Sequence, residues 1–329
     1  MFYREFKSPA IIKTGKAVMR RIDELLATSH LIFENKILVT QEYLFSLYRE
    51  QLSENRFQQV VLIKGGDLME ADFLIAQIKD KDALILAFGG GSVLDLVKYC
   101  ATKCNQPYIT LPSTLSNDAI YSSVSRLSDN GKKKSLGVQP PIGIMVDFDI
   151  IRKSPKELLL AGVADLVSNL SAIQDWKLAY NNIGESINEL SFMLAKEAAI
   201  PMLNYSAKDL FSDEFLFDLT NGLITSGLSM MISGNTRGTS GSEHLISHAI
   251  DEFFPEKSTI HGLQVGWAHA YIEKHYRKNH EGINIESFFY RMGITETIQK
   301  HIGFSDDEFE SLIPLAKKIR NRYTVFNTL

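Results

Sequence analysis

Residues 83 to 95 read Ala-Leu-Ile-Leu-Ala-Phe-Gly-Gly-Gly-Ser-Val-Leu-Asp. The first six form a short apolar run, typical of a strand buried on both faces, and helical spacing follows from Ser92 to Lys103. Glycines at such a junction let backbone N–H groups approach a phosphate, and the helix N-terminus adds unpaired donors and a partial positive charge. The segment therefore predicts a phosphate-binding loop, with a simple tight turn as the alternative; its residues are Gly89, Gly90, Gly91, Ser92, Val93, Leu94 and Asp95.

Further apolar runs on both sides of this segment have the length and composition of buried strands. They lie at residues 37–40, 60–63, 108–111 and 142–146, and residues 44–52 and 71–78 between them have helical spacing. This βαβαβ alternation predicts a doubly wound parallel sheet, that is, a Rossmann-like α/β domain. Residues 118–137 depart from the alternation, and Asp129-Asn130-Gly131 predicts the polar turn of an inserted β-hairpin.

The second half of the chain has a different pattern. From Lys156 to the end helical periodicity is almost continuous, which predicts an all-α domain at 156–329 after an α/β dinucleotide-binding domain at 1–155. Residues 158–180 predict one buried helix, and Ser305 to Glu308 has the pattern of a capping box. Ligands of doubly wound sheets bind at the carboxyl ends of the strands, so we expect the active site in the cleft between the two domains.

Composition limits the class of partner. With 35 basic and 39 acidic residues in 329, the formal net charge of −4 gives no strong electrostatic reason to expect nucleic acid or an anionic membrane, and favours a small-molecule substrate. The two cysteines, Cys100 and Cys104, suit reduced thiols in the cytoplasm. Residues 1–8 lack the apolar segment of a signal peptide and no run approaches 18 apolar residues, so we expect a cytoplasmic protein without membrane insertion. The oligomeric state stays open, and a homo-oligomer is compatible.

Three histidines have spacing suited to a metal ion. His244 and His248 lie one helical turn apart, and His261 follows thirteen residues later, so imidazoles from this set can converge on one divalent cation. A pair of core or surface histidines is the alternative. Asp165 lies in an apolar helical pattern, where an unpaired acid is costly, and a metal or a basic partner would offset that cost. One Asp with two His ligands would leave a coordination position open, as in catalytic zinc sites.

A second candidate ligand-binding loop follows the strand at 108–111. Residues 111–118 are rich in hydroxyl and amide side chains, including Ser113, Thr114 and Ser116, and end at Asp118. A solvated surface turn has a similar composition. Because this loop and the glycine loop both follow strands of one sheet, we interpret it as ligand-binding.

Taken together, these segments resemble the sn-glycerol-1-phosphate dehydrogenase family. This family lies in the superfamily of glycerol dehydrogenase, iron-containing alcohol dehydrogenases and dehydroquinate synthase. The resemblance extends from about residue 35 to the end. It is carried by residues 89–95, 112–118, 134–137, 141–143, 164–165, 175–179, 240–244 with 248, and 261–266.

The resemblance implies a role for individual residues. Gly90 to Leu94 would hold the pyrophosphate of NAD(H) or NADP(H), and Ser113, Ser116 and Ser122 would surround the rest of the cofactor. Asp165, His244 and His261 would bind Zn²⁺, with Ni²⁺ or Fe²⁺ as alternatives. The substrate would contact Asp118, Asp165 with its metal, and His248. The choice between NAD and NADP stays open.

The implied reaction is the reversible reduction of dihydroxyacetone phosphate to sn-glycerol 1-phosphate, a step suited to lipid biosynthesis. The metal would polarise the carbonyl, and His248 would supply the proton. Lys134 and Arg237 are candidates for the substrate phosphate by charge alone, and each could equally be solvated or structural. The alternatives are a sugar-phosphate cyclase of the dehydroquinate-synthase type, a dehydrogenase of another small polyol, and a non-catalytic cofactor-binding protein.

Overall fold

A computed structural model describes residues 8–277 and 283–329, which form two compact units. One unit comprises the chain up to Leu115 together with Ala119–Ser154, and the other comprises Ser116–Asp118 together with Pro155–Leu329. Residues 1–7, most of the N-terminal segment that was predicted to lack a signal peptide, lie outside the described part of the chain.

The first unit is built on a parallel sheet. Its strands are β1 (Ile11–Gly15), β2 (Lys36–Thr40), β3 (Gln59–Leu62), β4 (Leu84–Gly89), β5 (Tyr108–Pro112) and β8 (Gly143–Asp147), in the order β1-β8-β5-β4-β2-β3. The five predicted strands and the parallel α/β class are confirmed. Strand β1 was not predicted, because its sequence Ile-Ile-Lys-Thr-Gly is short and half polar. It occupies an edge of the sheet, where it pairs only with β8.

Helices cover the sheet of this unit. They are α1 (Ile22–Thr28), α2 (Glu42–Leu47), α3 (Arg49–Leu52), α4 (Ala71–Ile78), α5 (Gly91–Cys104) and α6 (Phe148–Ile151). Leu84, Leu86 and Phe88 of β4 pack in a core that contains residues of α1, α2 and α3, whereas Ile85 and Ala87 are fully buried on the other face. Burial on both faces explains the unbroken apolar run of this strand. The helix predicted at 44–52 is divided in two, since Tyr48 leaves helical geometry with φ −111° and ψ 20°.

The predicted hairpin is also confirmed. Strands β6 (Val124–Asp129) and β7 (Lys132–Gly137) pair antiparallel in a sheet of their own. Asn130 and Gly131 between them both have positive φ, 51° and 80°, the conformation that Asn-Gly adopts in two-residue hairpin turns.

The second unit is helical, and no strand occurs among its described residues, as predicted. Its helices are α7 (Lys156–Val167), α8 (Asn169–Ile183), α9 (Glu189–Ala199), α10 (Asp213–Ser233), α11 (Ser242–Phe253), α12 (His261–Ile272), α13 (Ile285–Met292), α14 (Ile294–His301) and α15 (Asp306–Ile319). Ser305 caps α15 with Glu308, as expected. The single helix predicted at 158–180 is wrong: α7 ends at Val167, and α8 begins at Asn169. Between them the Ser168 hydroxyl donates to the Asp165 carbonyl at 2.7 Å.

Helix α10 is long and apolar enough, by length and composition, to cross a membrane. Most of its apolar stretch is buried against neighbours that include α7 and α9. Core helices of folded domains have this same pattern.

Candidate metal centre and cofactor loop

The glycine loop lies where the order of successive strands in the sheet reverses. The chain passes from β2 outward to β3, whereas from β4 it passes the opposite way to β5, so the ends of β2 and β4 border the topological switch point. Gly89 ends β4 and α5 begins at Gly91, so the first N–H groups of α5 open into this region. A Cβ on Gly89 would lie 2.6 Å from the Val93 side chain, which explains the need for glycine.

A second glycine pair supports this loop and was missed in the sequence. Gly65 and Gly66 follow β3 with φ of +85° and +83°, and the Gly66 N–H donates to the Ser92 carbonyl at 2.9 Å. A Cβ on Gly65 would come within 3.1 Å of the backbone of Ser92 and Val93. The available signal was a Gly-Gly pair one residue after an apolar run, separated from it by Lys64.

The loop after β5 lies beside the glycine loop because Gly89 pairs with Pro112 in the sheet. The Ser113 N–H donates to the Gly89 carbonyl at 2.9 Å, and the Thr114 side chain lies 3.4 Å from the position of a Cβ on Gly90. The Thr114 hydroxyl is buried and has no hydrogen-bond partner among the described residues. An unsatisfied buried hydroxyl next to a phosphate-type loop fits a ligand such as a dinucleotide.

Two residues predicted to contact the cofactor, Asp95 and Ser122, have structural partners. Lys98 of α5 is fully buried, and its ammonium lies 2.8 Å from Asp95 Oδ1, 2.9 Å from Ser122 Oγ and 2.7 Å from the Val124 carbonyl. A buried ammonium requires such acceptors. The arrangement favours an anchoring role for Asp95 and Ser122, in which they hold β6 against α5, over direct contact with the cofactor.

The two candidate phosphate-binding cations are both engaged. Lys134 is exposed on β7 and pairs with Asp129. Arg237 is buried and donates to Glu185 at 2.7 and 2.5 Å and to the Tyr323 carbonyl at 2.9 Å. This bidentate internal pair favours the structural alternative for Arg237. Asp118, the other substrate candidate, begins a 3-10 turn at Asp118–Ile120, and Ser116 to Asp118 group with the second unit.

Three side chains from three helices of the second unit meet at one point. Asp165 comes from α7, His244 from α11, and His261 from the first residue of α12. Nε2 of His244 lies 3.5 Å from Asp165 Oδ1, and Nε2 of His261 lies 3.8 Å from the same oxygen. One potential ligand atom of each lies within 4.8 Å of the others, and Asp165 Oδ1 is buried without a hydrogen bond from any described residue. Two imidazole nitrogens and an unsatisfied carboxylate form a donor set that fits a divalent cation such as Zn²⁺.

Close packing of α12 on α7 brings His261 to Asp165. A Cβ on Gly262 would overlap the Ala161 carbonyl of α7, and a Cβ on Gly266 would lie 2.9 Å from the Ala164 Cβ. Glycines four residues apart therefore let the two helices approach along one face. The glycines were part of the sequence resemblance, but their packing role required the structure.

The carboxylate of Glu243 contacts His244 at Nδ1, the ring nitrogen that does not face Asp165. It is fully buried, and its Oε1 lies 2.9 Å from His244 Nδ1 and accepts from the Gly241 N–H at 2.6 Å. Burial alone would raise the pKa of Glu243, but these hydrogen bonds, with the His244 charge and Ser171, lower it to about 2. When His244 gives up a proton to bind a metal, an ionised Glu243 keeps the remaining proton on Nδ1 and leaves Nε2, on the Asp165 side, as the metal-binding nitrogen, as in carboxylate–histidine–metal arrangements.

His261 has its own polar support. Its Nδ1 lies 3.0 Å from Ser247 Oγ, and Gln264 donates to the same hydroxyl at 3.0 Å. The Gln264 side chain is held in turn by the Thr259 N–H at 2.6 Å. These supporting residues were not identified as functional in the sequence, because nothing in their spacing shows which atoms they contact.

His248 lies beside the cluster. Its ring centroid is 6.1 Å from that of His244 and 5.9 Å from that of His261. Among the described residues, the group whose potential ligand atoms lie within 4.8 Å of one another contains Asp165, His244 and His261 but not His248. His248 thus lies beside the three residues that could hold a metal, and its own role stays a prediction.

Comparison with known proteins agrees with this fold and identifies the family. The iron-containing alcohol dehydrogenase family profile matches residues 13–155. The chain is 32% identical to glycerol-1-phosphate dehydrogenase [NAD(P)+] of Pyrococcus horikoshii, over 81% of this chain and 78% of that protein. It is 30% identical to the enzyme of the same name from Archaeoglobus fulgidus, over 100% of this chain and 95% of that protein.

A solved structure supports the fold. Glycerol dehydrogenase from Schizosaccharomyces pombe superposes with a TM-score of 0.73 at 20% identity, covering 99% of this chain and 86% of that one. Each of the two alignments covers most of the relative and most of this chain. The resemblance predicted from the sequence is confirmed. The chain therefore belongs to the glycerol-1-phosphate dehydrogenase family.

Proposed function

We propose that this chain interconverts dihydroxyacetone phosphate and sn-glycerol 1-phosphate, with NAD(H) or NADP(H) as the hydride carrier and a divalent metal held by Asp165, His244 and His261. The observation that carries the proposal is the convergence of these three side chains around the unsatisfied Asp165 Oδ1. The names of the relatives support the substrate and the cofactor.

The residues of this chain then have distinct tasks. The N–H groups at the start of α5 and the buried Thr114 hydroxyl bind the dinucleotide, with its pyrophosphate at the helix N-terminus. A divalent cation bound at Asp165 supplies Lewis-acid polarisation of a substrate carbonyl. Glu243 and Ser247 hold the two imidazole ligands in orientation. His248, next to both rings, delivers a proton to the developing oxygen of the product or accepts it in reverse.

Further parts of the proposal concern partners and place. A small phosphorylated molecule is the substrate, and groups other than Arg237, which Glu185 already neutralises, bind its phosphate. We also infer a cytoplasmic location, no nucleic-acid partner and no membrane insertion; a homo-oligomer is compatible with the proposal. The expected meeting of cofactor and metal in a cleft between the units stays a prediction.

A stoichiometric assay tests the proposal. The purified chain, loaded with Zn²⁺ or Ni²⁺, is mixed with dihydroxyacetone phosphate and either reduced nicotinamide, and both coenzyme oxidation and product are measured. We expect one glycerol phosphate per coenzyme oxidised, of the sn-1 enantiomer in an enantiomer-specific assay. A metal-loaded chain that consumes substrate without oxidising the coenzyme would instead be a cyclase or lyase. The opposite enantiomer would overturn the assigned product.

A further inference from the structure

A buried arginine is connected to the Asp165, His244 and His261 group by a continuous series of hydrogen bonds. Arg277 Nη1 donates to Ser171 Oγ at 2.7 Å, and Ser171 Oγ donates to Glu243 Oε2 at 2.7 Å. The other oxygen of Glu243 lies 2.9 Å from His244 Nδ1. Resting on the proposed function, we propose that Arg277 is a positioning residue that sets metal affinity through Ser171, Glu243 and His244.

The direction of these hydrogen bonds follows from the chemistry of the groups. A guanidinium has donors only, so Ser171 accepts from Arg277 and must direct its single proton elsewhere. The carboxylate of Glu243 takes that proton's hydrogen bond and also accepts from the Gly241 N–H at 2.6 Å. With these donors fixed, the remaining direction at Glu243 Oε1 belongs to the N–H of His244. Arg277 therefore constrains which imidazole nitrogen of His244 is available to a metal.

Arg277 is itself held rigidly. Its side chain is 6% exposed, and it pairs with Asp175 Oδ1 at 2.5 Å and with Glu273 Oε1 at 3.0 Å. The second oxygen of Asp175 accepts from the Ser242 N–H at 2.6 Å, at the start of the helix that carries His244. The same arginine thus supports α11 by two routes, one through the Glu243 side chain and one through the backbone at Ser242.

The local backbone accounts for the inward direction of Arg277. Glu273–Arg277 form a π-helical turn directly after α12, the helix whose first residue is His261. A π turn adds one residue to a helical turn, which rotates the following side chains by about 100° relative to a regular α-helix. In this register Arg277 contacts Ser171 and Asp175 of α8. One continuous segment therefore carries a metal ligand at its start and the support of another ligand at its end.

Substitutions separate this role from simple stabilisation. Ser171→Ala breaks the series but leaves the Arg277 pairs with Asp175 and Glu273. Arg277→Gln breaks it at its origin and also leaves two buried carboxylates less well compensated, so it can fail to fold. Glu273→Gln is the matched control, because it weakens an ion pair of Arg277 without touching Ser171 or Glu243. Each full-length variant is checked by circular dichroism and thermal unfolding.

The readout is binding of Co²⁺, measured by competition with a chromophoric chelator and by the visible spectrum of the bound ion. We expect Ser171→Ala to raise the Co²⁺ dissociation constant about 10- to 100-fold and to shift the spectrum, the size of effect seen when outer partners of metal ligands are lost. Glu273→Gln should lower the melting temperature, because a buried ion pair of Arg277 is weakened, and leave the dissociation constant within about twofold, because Asp175 and Ser171 still hold Arg277. If Arg277→Gln folds, combining it with Ser171→Ala should add little further loss, because both interrupt one series.

The outcomes distinguish this inference from the proposed function. A wild-type chain that binds no Co²⁺ overturns both. A wild-type chain that binds Co²⁺, together with a folded Ser171→Ala variant that binds it equally tightly with an unchanged spectrum, overturns only the role of Arg277. An equal loss of affinity in Ser171→Ala and Glu273→Gln also overturns it, because the effect is then general destabilisation.

Discussion

Asp165 combines burial with an unsatisfied charge. Its Oδ1 is buried, accepts no hydrogen bond from the described residues, and faces the Nε2 atoms of two histidines. A carboxylate in that position costs free energy in the absence of a cation, so the residue is more consistent with a metal ligand than with a structural acid.

Replacing Asp165 by Asn tests the ligand role at constant shape. Loss of a residue that hydrogen-bonds a metal ligand lowers metal affinity by up to about 100-fold. We expect a larger fall for Asp165→Asn, because a charged ligand itself is removed. Without metal, protonated His244 partly compensates the charge of Asp165, so the metal-free variant should unfold at a similar or slightly lower temperature than the metal-free wild type. Metal content after dialysis and thermal unfolding measure the two effects; wild-type metal content in Asp165→Asn would contradict the assignment.

His248 provides the complementary test. Its ring is adjacent to His244 and His261, but it is not one of the three residues whose ligand atoms converge, so His248→Gln should retain the metal. Loss of the proton-transfer group should lower kcat about 100- to 10,000-fold at unchanged metal content. Steady-state kinetics beside metal analysis measure both. A variant that loses its metal would make His248 a ligand, and an unchanged kcat would remove it from catalysis.

The two cysteines differ in environment. Burial raises the pKa of Cys100 to about 12, and burial also raises the pKa of the partly exposed Cys104. Thiolates rather than thiols react with disulfide reagents. We therefore expect at most one thiol per native chain, that of Cys104, to react with such a reagent at mildly alkaline pH, and to react slowly. Denaturant should expose both thiols, and Cys104→Ser should abolish the native reaction. Rapid reaction of two thiols in the folded chain would contradict the burial of Cys100.

At the scale of elements, the packing of α12 on α7 positions two of the three proposed ligands. Gly262→Ala places a methyl group against the Ala161 carbonyl, so α12 must shift away from α7. We expect a loss of about 1–3 kcal/mol in the free energy of unfolding, the usual cost of overpacking, together with weaker metal binding. Denaturant titration and metal competition measure the two.

A matched glycine in the same unit provides the control. A Cβ on Gly303 would meet only the flexible Lys257 side chain, at 3.8 Å or more. Gly303→Ala should therefore leave both metal affinity and the free energy of unfolding near their wild-type values. If Gly262→Ala behaves like Gly303→Ala, the close approach of α12 and α7 is not what positions His261.

The cofactor side shows the same dependence of site on element. Lys98 of α5 is fully buried and connects this helix to Asp95, Ser122 and the Val124 carbonyl. Two residues expected to bind the cofactor are thereby joined to one cation that the sequence interpretation passed over. A lysine on a helix is usually solvated, and this one is buried beside Ser122 and the first residue of β6.

At the scale of the whole molecule, metal binding should be visible as stability. Ligand at 100 times its dissociation constant adds about 2.7 kcal/mol to the free energy of unfolding, so Zn²⁺ should raise the melting temperature of the wild type and not of Asp165→Asn. Burial lowers the pKa of His244, but Asp165 and Glu243 outweigh burial and raise it to about 9. Below that pH a metal must displace the proton.

The sign of the pH effect follows from this competition. As pH falls from about 9, metal affinity should drop by up to about tenfold, or about 1.4 kcal/mol, per pH unit, so the metal-induced rise in melting temperature shrinks. Thermal unfolding with and without Zn²⁺ across this range measures it. A rise that grows as pH falls would contradict the assignment of His244.

The sequence by itself determined the class of fold and the identity of the proposed ligands. Runs such as 83–88 are unbroken because both faces of a parallel strand are buried, so their pattern is visible without knowledge of their neighbours. Asp165, His244 and His261 were named because carboxylate and imidazole chemistry is intrinsic to the residue type and their surrounding motif resembles a family.

Only the tertiary structure decided which groups support these residues and which are already engaged. Strand β1, the pair of Arg237 with Glu185 and the series from Arg277 to His244 all depend on residues distant in the chain. A short polar strand, a serine or an arginine carries no mark in its own sequence of the partner that it meets. Hydrogen bonds and ion pairs act over a few ångströms, so these roles exist only once folding has set the distances.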